Sequence, residues 1–389
     1  MKKKIRVVHI IPMLGPGGAE RVAVHIVRGL SHRRYESAVV SFTGRLGCDL
    51  DYLLEDAGIE VRYLGKRPGF DYRMFYKLPP ALNELRPDIV HTHLHVLRYA
   101  LPFLLHRKKT SLVHTVHNLA EREIEPRLRW LQCYALKRGV VPVAVAEEVA
   151  DSLRRLYGIQ KCRVIPNGIP TDRYARPQIP PKEWRAKEGF GENDVLFVCV
   201  ARFAPQKNHA LLLNAFAQGP ASDPNAHLVL VGDGTLQKSL ETQAKSLGID
   251  RQVHFLGLRT DIPEVLGAMD VFVLSSDFEG NPLSVMEAMA ASLPIVSTAA
   301  GGVPDLFAPG REGLLVQPGD AHGLSRAMTF LGENREVRRS LGIAAARRAR
   351  TSFDASKMVK AYEGLYEELV NHSHYPNERV LQESAIPAE

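Results

Sequence analysis

Residues 278–290 read FEGNPLSVMEAMA, where two glutamates, Glu279 and Glu287, bracket a turn in an otherwise apolar stretch. Asn281 suits a helix N-cap and Pro282 a first helical position, which predicts a helix from there to about Ser292. Glu279 then lies on the loop entering the helix, and Glu287 lies inside it, on the face of Leu283 and Ser284. Two carboxylates and a row of unpaired backbone N–H groups would share one rim, either as a site for hydroxyls and phosphates or as a capped helix with a polar face. A second stretch, VLFVCVARFAPQKNHALLL, sets Arg202 and Lys207 at the carboxyl end of an apolar run, just before the next helix. Arg grips two phosphate oxygens at once and Lys supplies a mobile charge, although cations in loops are commonly just solvated. Paired carboxylates also suit glycoside hydrolysis, but a neutral glycan needs neither cations nor helix N–H groups. A phosphorylated sugar needs both.

The first strand ends in LGPGGAERV, so Gly15, Gly17 and Gly18 lead into a helix. Glycine there gives a ligand backbone access to the helix N-terminus, or simply makes a tight turn. The spacing is neither the dinucleotide fingerprint nor a P-loop. His91, His93 and His95 alternate at strand spacing and are expected to point one way, and HTVHN adds His114 and His117 at the next strand's end. These five could serve a metal-dependent hydrolase, or could be histidines gathered at strand ends in a polar cleft, since no nearby acid completes a ligand spacing. Asp49 and Asp51 open an amphipathic stretch and read as first-turn helix acids, not as a metal pair. Residues 121–139, EREIEPRLRWLQCYALKRG, form a basic segment with Trp130. It suits either an anionic membrane surface or a core-packed helix with a solvated face.

What must position these residues is an alternation of short β-branched runs with amphipathic helices. IRVVHII, SAVVSF, VRYL, DIVHTH, SLVHTV and VPVAVA come first; VLFVCVA, HLVLVG, VHFLG, VFVLSS, PIVST and GLLV follow. This is the pattern of parallel sheets covered on both faces, and it starts twice. It predicts an α/β chain of two doubly wound domains, with ligands in the cleft at the carboxyl ends of the strands. The boundaries are 1–165 for the first domain, 166–190 for a proline-rich linker, 191–354 for the second, 355–370 for a last helix and 371–389 for a poorly ordered tail.

At 389 residues, 45% hydrophobic and 24% charged, the chain is an ordinary globular composition with room for two domains. The net charge of +7 fits phosphate-bearing or anionic-surface partners. Cys48, Cys133, Cys162 and Cys199 lie far apart without a C-x-x-C, which argues against a disulfide framework or zinc knuckle and for a reducing cytoplasm. His9 and Pro12 interrupt the apolar part of the signal-like start MKKKIRVVHIIPML, and no apolar run of about 18 residues exists to span a membrane.

GPGGAERV, HTVHN, IPNGI, ARFAPQKN, VGDG, FLG and FEGNPLSVMEAMA…GGVPDL occur in an order that resembles the retaining nucleotide-sugar glycosyltransferases of family 4. The resemblance runs to the last helix and includes E-x7-E. It implies GT-B architecture, with two facing Rossmann-like domains and a cleft between them. It also implies a hexosyl- or N-acetylhexosaminyl-type transferase needing no metal or cofactor, with a UDP- or GDP-sugar as donor. The acceptor would be a saccharide or lipid-linked saccharide in cell-surface polysaccharide or glycolipid synthesis at the cytoplasmic membrane face; nucleic acid is not an expected partner. By the same resemblance, Arg202 and Lys207 bind the donor diphosphate. Glu279, Gly280 and the backbone at Asn281, Pro282, Leu283 and Ser284 hold the transferred sugar and phosphates, while Glu287 binds the ribose. Gly17 and Gly18 line the opposite wall, His117 sits near the reacting sugar, and the base rests on Phe255–Leu258, including Leu256 and Leu258. The last helix would cross back to the first domain. Ala201 and Asp305 replace the glycine and glutamate that relatives commonly have there. A nucleotide-sugar-binding protein without transferase activity is the third reading, against which the intact Arg202, Lys207, Glu279 and Glu287 argue.

Overall fold

Twelve of the thirteen strands fall on the apolar runs named above. In the computed structural model, which describes residues 3–105 and 110–373, they form two fully parallel sheets. The first contains β1 (Ile5–Ile11), β2 (Tyr35–Ser41), β3 (Glu60–Tyr63), β4 (Ile89–His93), β5 (Ser111–Val116), β6 (Val141–Ala144) and β7 (Arg163–Val164), in the order β3-β2-β1-β4-β5-β6-β7. The second contains β8 (Val195–Val200), β9 (Ala226–Val231), β10 (Val253–Gly257), β11 (Val271–Leu274), β12 (Ile295–Thr298) and β13 (Gly313–Val316), in the order β10-β9-β8-β11-β12-β13. In both sheets the chain starts in the middle and reverses direction across it, which opens a crevice at the strands' carboxyl ends. The strand that the sequence does not reveal, β7, has two residues on a sheet edge, too few to show any alternation.

The linker is less free than its prolines suggest. Residues 171–175 and 181–188 are helical, and Tyr174, Trp184 and Phe190 are buried in the same cluster as the core strands of the second sheet. Three large aromatic side chains gain more by burial than a spacer would by staying hydrated, so residues 171–190 pack as part of the second domain.

The terminal helix runs Ala355–Ser373, three residues past its expected end, so residues 371–373 of the expected tail are helical and 374–389 lie outside the described residues. It packs on the first domain. Val359 lies against Gly29, Tyr35 Oη donates to the Glu363 carbonyl, and the Tyr366 hydroxyl bonds His91 Nδ1 at 2.6 Å. Its Met358, Val359, Tyr362, Leu365 and Tyr366 join one buried cluster with Val7, Ile26 and Ile89 of the first domain and with the second domain's core. Among the described residues, no helix is long and apolar enough to cross a membrane.

Candidate functional site

The turn after β8 and the loop after β11 are tied together by backbone and side-chain bonds. Ser275 Oγ donates to the carbonyls of Lys207 and Asn208, Gln206 Nε2 to that of Phe278, and Asn208 Nδ2 to Asp277 Oδ1. Asn208 itself holds a left-handed φ of 45° and caps the next helix through Leu211 N. These bonds bring Lys207 Nζ to 2.5 Å from Glu279 Oε1, which also accepts from Ser276 Oγ at 2.6 Å. Glu279 is 4% exposed, so its charge is matched within the site. Arg202 is exposed and has no carboxylate within 4 Å among the described residues. Across the cleft, burial raises the pKa of Glu20, which lies over Gly17, and the Arg202 charge opposes that rise.

The helix beyond Glu279 starts later than expected, at Leu283, and ends at Ala290. Asn281 is not its cap. The Asn281 side chain accepts from Asn167 N at 3.0 Å, and its carbonyl accepts from Asn167 Nδ2 at 2.8 Å. With that side chain taken by the linker, Pro282 holds the N-cap place in extended conformation, φ −71° and ψ 121°, and no side chain caps the helix. The first-turn amides of Leu283, Ser284 and Val285 therefore have no side-chain cap, an arrangement that favours an anion. A β-carbon on Gly18 would lie 3.9 Å from the Leu283 side chain, so the glycine turn sits opposite the start of this helix. Leu256 is partly buried, while Leu258 is 60% exposed just past β10.

Glu287 is 1% exposed and already paired. Its Oε1 accepts from Arg21 at 3.0 Å and from Tyr174 Oη at 2.8 Å, and Arg21 also donates to Tyr174 Oη at 3.0 Å. Glu287 and its surroundings hold the Arg21 guanidinium above its usual range. The two domains are thus joined through the acid at the helix centre. Backbone contact is just as close: a β-carbon on Gly280 would fall 2.0 Å from His117 O.

The five-histidine cluster does not assemble. Register sets His91 beside His9, and it sets His114 beside Thr92, so His114 faces away from His91 and His93. His114 Nδ1 bonds Thr92 Oγ1 at 2.9 Å on that other face. Leu94 turns left-handed, φ 56°, directly after β4, which takes His95 off the strand and into a short 3-10 helix. His9, His91 and His93 do approach one another, with ring nitrogens within 4.8 Å, and His93 Nδ1 reaches His117 Nε2 at 2.9 Å. Burial holds His9 and His117 down to about 3 and His114 to about 4. Asp51 is a helix acid, bonded to Cys48 N and Tyr63 Oη.

Sequence reasoning did not single out His9, Arg21, Asn167 or Tyr174. Arg21 follows the glycine turn by one helical turn, a place that faces the cleft, and it could have been found. Asn167 and Tyr174 lie in a segment without periodicity, where only the fold reveals the contact.

Two family models match, Glycosyltransferase Family 4 over residues 16–173 and Glycosyl transferases group 1 over residues 181–348. The chain is 27% identical to the Escherichia coli UDP-Gal:alpha-D-GlcNAc-diphosphoundecaprenol alpha-1,3-galactosyltransferase, covering 86% of this chain and 89% of that protein. It is 25% identical to the Bacillus anthracis N-acetyl-alpha-D-glucosaminyl L-malate synthase, over 77% and 79%. Among solved structures, Anabaena HepE in complex with UDP and glucose superposes with a TM-score of 0.82 at 22% identity, over 94% of this chain and 100% of that one. That likeness is one of fold.

Proposed function

We propose, from the premise that this chain carries a family 4 glycosyltransferase domain followed by a group 1 glycosyl transferase domain, that it transfers a sugar from a UDP- or GDP-sugar with retention of anomeric configuration. The sugar is a hexose or an N-acetylhexosamine, and the acceptor is a saccharide or lipid-linked saccharide of cell-surface polysaccharide or glycolipid synthesis. The observation that carries this reading is the juxtaposition of the Lys207–Glu279 pair, the unpaired Arg202 and an uncapped helix N-terminus on one cleft wall. Arg202, Lys207 and the amides at Leu283–Ser284 would neutralise the diphosphate as it leaves, without rearranging. Glu279, Gly280, Asn281 and Pro282 would frame the sugar, the second oxygen of Glu287 the ribose, and Leu256 and Leu258 the base. As the acceptor oxygen bonds the anomeric carbon, the carbon–phosphate-oxygen bond breaks and a diphosphate oxygen takes the acceptor's proton. No metal or cofactor is required by this route, because fixed cations do the charge stabilisation.

Calorimetric titration with UDP and GDP, with and without EDTA, tests it. One nucleotide should bind with or without the chelator. Binding of neither, or binding lost with EDTA, would overturn the diphosphate clamp. Trp130, 68% exposed beside Arg127 and Arg129, favours a peripheral contact with an anionic leaflet on the cytoplasmic side. Co-sedimentation with phosphatidylglycerol vesicles should fall for Trp130→Ala, and unchanged sedimentation would refute the contact.

A further inference from the structure

Three histidines, His9, His91 and His93, are fully buried at the centre of the first sheet, where nothing in the donor site uses them. Their ring nitrogens belong to one unbranched chain of hydrogen bonds. His117 Nε2 meets His93 Nδ1 at 2.9 Å, and His93 Nε2 meets His9 Nδ1 at 3.0 Å. His9 Nε2 meets the Tyr366 hydroxyl at 3.3 Å, which meets His91 Nδ1 at 2.6 Å. His91 Nε2 then meets Thr115 Oγ1 at 2.7 Å, and Thr115 Oγ1 meets the Tyr362 hydroxyl at 3.0 Å.

A neutral imidazole has one N–H and one lone pair, and a hydroxyl has one proton. A hydroxyl oxygen can also accept twice, but its one proton would then be buried without an acceptor, so with every proton used each link points the same way and the direction is chosen at an end. Tyr362 is 1% exposed, and Thr115 Oγ1 is the bonding partner of its hydroxyl among the described residues. If Thr115 donated to it, the phenolic proton would be buried without an acceptor, a full desolvation cost. Tyr362 therefore donates to Thr115, Thr115 to His91 Nε2, His91 Nδ1–H to Tyr366, Tyr366 to His9 Nε2, His9 Nδ1–H to His93 Nε2 and His93 Nδ1–H to His117 Nε2.

We infer that this chain, anchored by Tyr362 and Tyr366 of the terminal helix, fixes His117 as the neutral tautomer carrying its proton on Nδ1, so that it meets its ligand as a hydrogen-bond donor and not as a base. Burial holds all four imidazoles below their usual range, so no extra proton enters the chain near neutral pH. Tyr362, Thr115, His91, Tyr366, His9 and His93 are positioning residues that act through His117. That the ligand is an oxygen of the transferred sugar rests on the transferase reading; the tautomer does not. The same bonds link the docking of the terminal helix to the proton on the cleft residue.

Long-range proton–nitrogen correlation on the full chain with 15N-labelled histidine reads the tautomer directly, with His117→Gln assigning the signals. In the wild type, His117 Nδ1 should resonate as a protonated ring nitrogen and Nε2 as an unprotonated one. Thr115→Val removes the hydroxyl that donates to His91 and should mix or exchange the two nitrogen types, whereas Thr115→Ser, which keeps that hydroxyl, and Tyr362→Phe, which leaves the Thr115 proton only His91 Nε2 to pair with, should not. A wild-type Nε2–H tautomer, or a Thr115→Val spectrum identical to wild type, would overturn the inference. UDP and GDP titration of the same samples separates the two proposals: loss of nucleotide binding with the Nδ1–H tautomer intact would sink the transferase reading alone.

Discussion

Gly280 is where the two domains touch backbone to backbone, and Gly280→Ala probes how much of the function is domain closure. The added β-carbon would lie 2.0 Å from His117 O and 3.2 Å from Asn118 Cα, where real β-carbons do not come within 3.0 Å of such atoms. The gap must therefore widen by about 1 Å, the distance that separates a productive from a misplaced reactant and costs about 10²-fold in rate. His117 belongs to the first domain and Gly280 to the second, so a small hinge opening relieves the clash without unfolding anything. Turnover of the donor should fall about 10²-fold, while the melting temperature and the affinity for nucleotide, whose proposed clamp lies in the second domain, stay near wild type. Gly301 supplies the contrast. Its β-carbon would lie 1.8 Å from Glu279 O, its φ is +53°, and both residues sit in one domain, so no hinge relieves it. Gly301→Ala should instead lower stability by about 1–3 kcal/mol and displace Glu279. Turnover of Gly280→Ala within fivefold of wild type, or melting as low as Gly301→Ala, would refute the closure argument.

Lys207→Ala should lose both turnover and stability, because it leaves the buried Glu279 carboxylate with Ser276 alone; stability about 3 kcal/mol lower is expected by denaturant unfolding, and a variant as stable as wild type would show that the pair is not buried in solution. Acid should unfold the first domain early. His9 and His114, held down to about 3 and about 4, bind fewer protons folded than unfolded between those values and about pH 6.5, so the stability they allow is full above 6.5 and is lost as pH falls through that window. At pH 5 each costs about 2 kcal/mol, with His91 and His93 adding in the same direction. Glu123, pushed up to about 8 by burial, opposes this, since its contribution grows as pH falls through 8. Thermal melts at pH 7.5 and 5.5 should therefore show a loss that Glu123→Gln steepens, and an unchanged midpoint would contradict the burial of the histidines.

The parallel strands were legible because strands buried on both faces are unbroken apolar runs, and β5, β10 and β13 even have the expected ends. The loops around Lys207 and Glu279 were legible for a different reason: charged residues break an apolar context at the carboxyl end of a strand, where a doubly wound sheet opens its crevice. Asn281 was misread because an N-cap and a linker contact ask for the same side chain, and a single sequence does not show that Asn167 takes it first. The histidine cluster was misread because strand spacing gives the face within one strand, not the register between two. Pairing Thr92 with His114 moves one ring to the far side of the sheet, and pairing His9 with His91 brings in another that had looked like a mere interruption of an apolar run. Register is set by distant packing, which local residues do not report.

Charge in the cleft leads to the last prediction. Arg21 is spent on Glu287 and Lys207 on Glu279, so two of the cations at the proposed donor site are matched before any ligand arrives. Arg202 is exposed and has no carboxylate within 4 Å among the described residues. An arriving diphosphate would therefore find in Arg202 a cation whose donors need not be shared, while Lys207 could offer only the donors that Glu279 leaves. Charge-assisted hydrogen bonds are worth about 1.5–3 kcal/mol each, so Arg202→Ala should weaken UDP or GDP binding by roughly 10–100-fold. The corresponding nucleoside carries no phosphate and should bind no worse than before. Because Arg202 supports no ion pair, the variant should also melt like wild type, unlike Lys207→Ala. Equal losses for nucleoside and nucleoside diphosphate would place Arg202 against the base or ribose and not the phosphates, and no loss for either would remove it from the site.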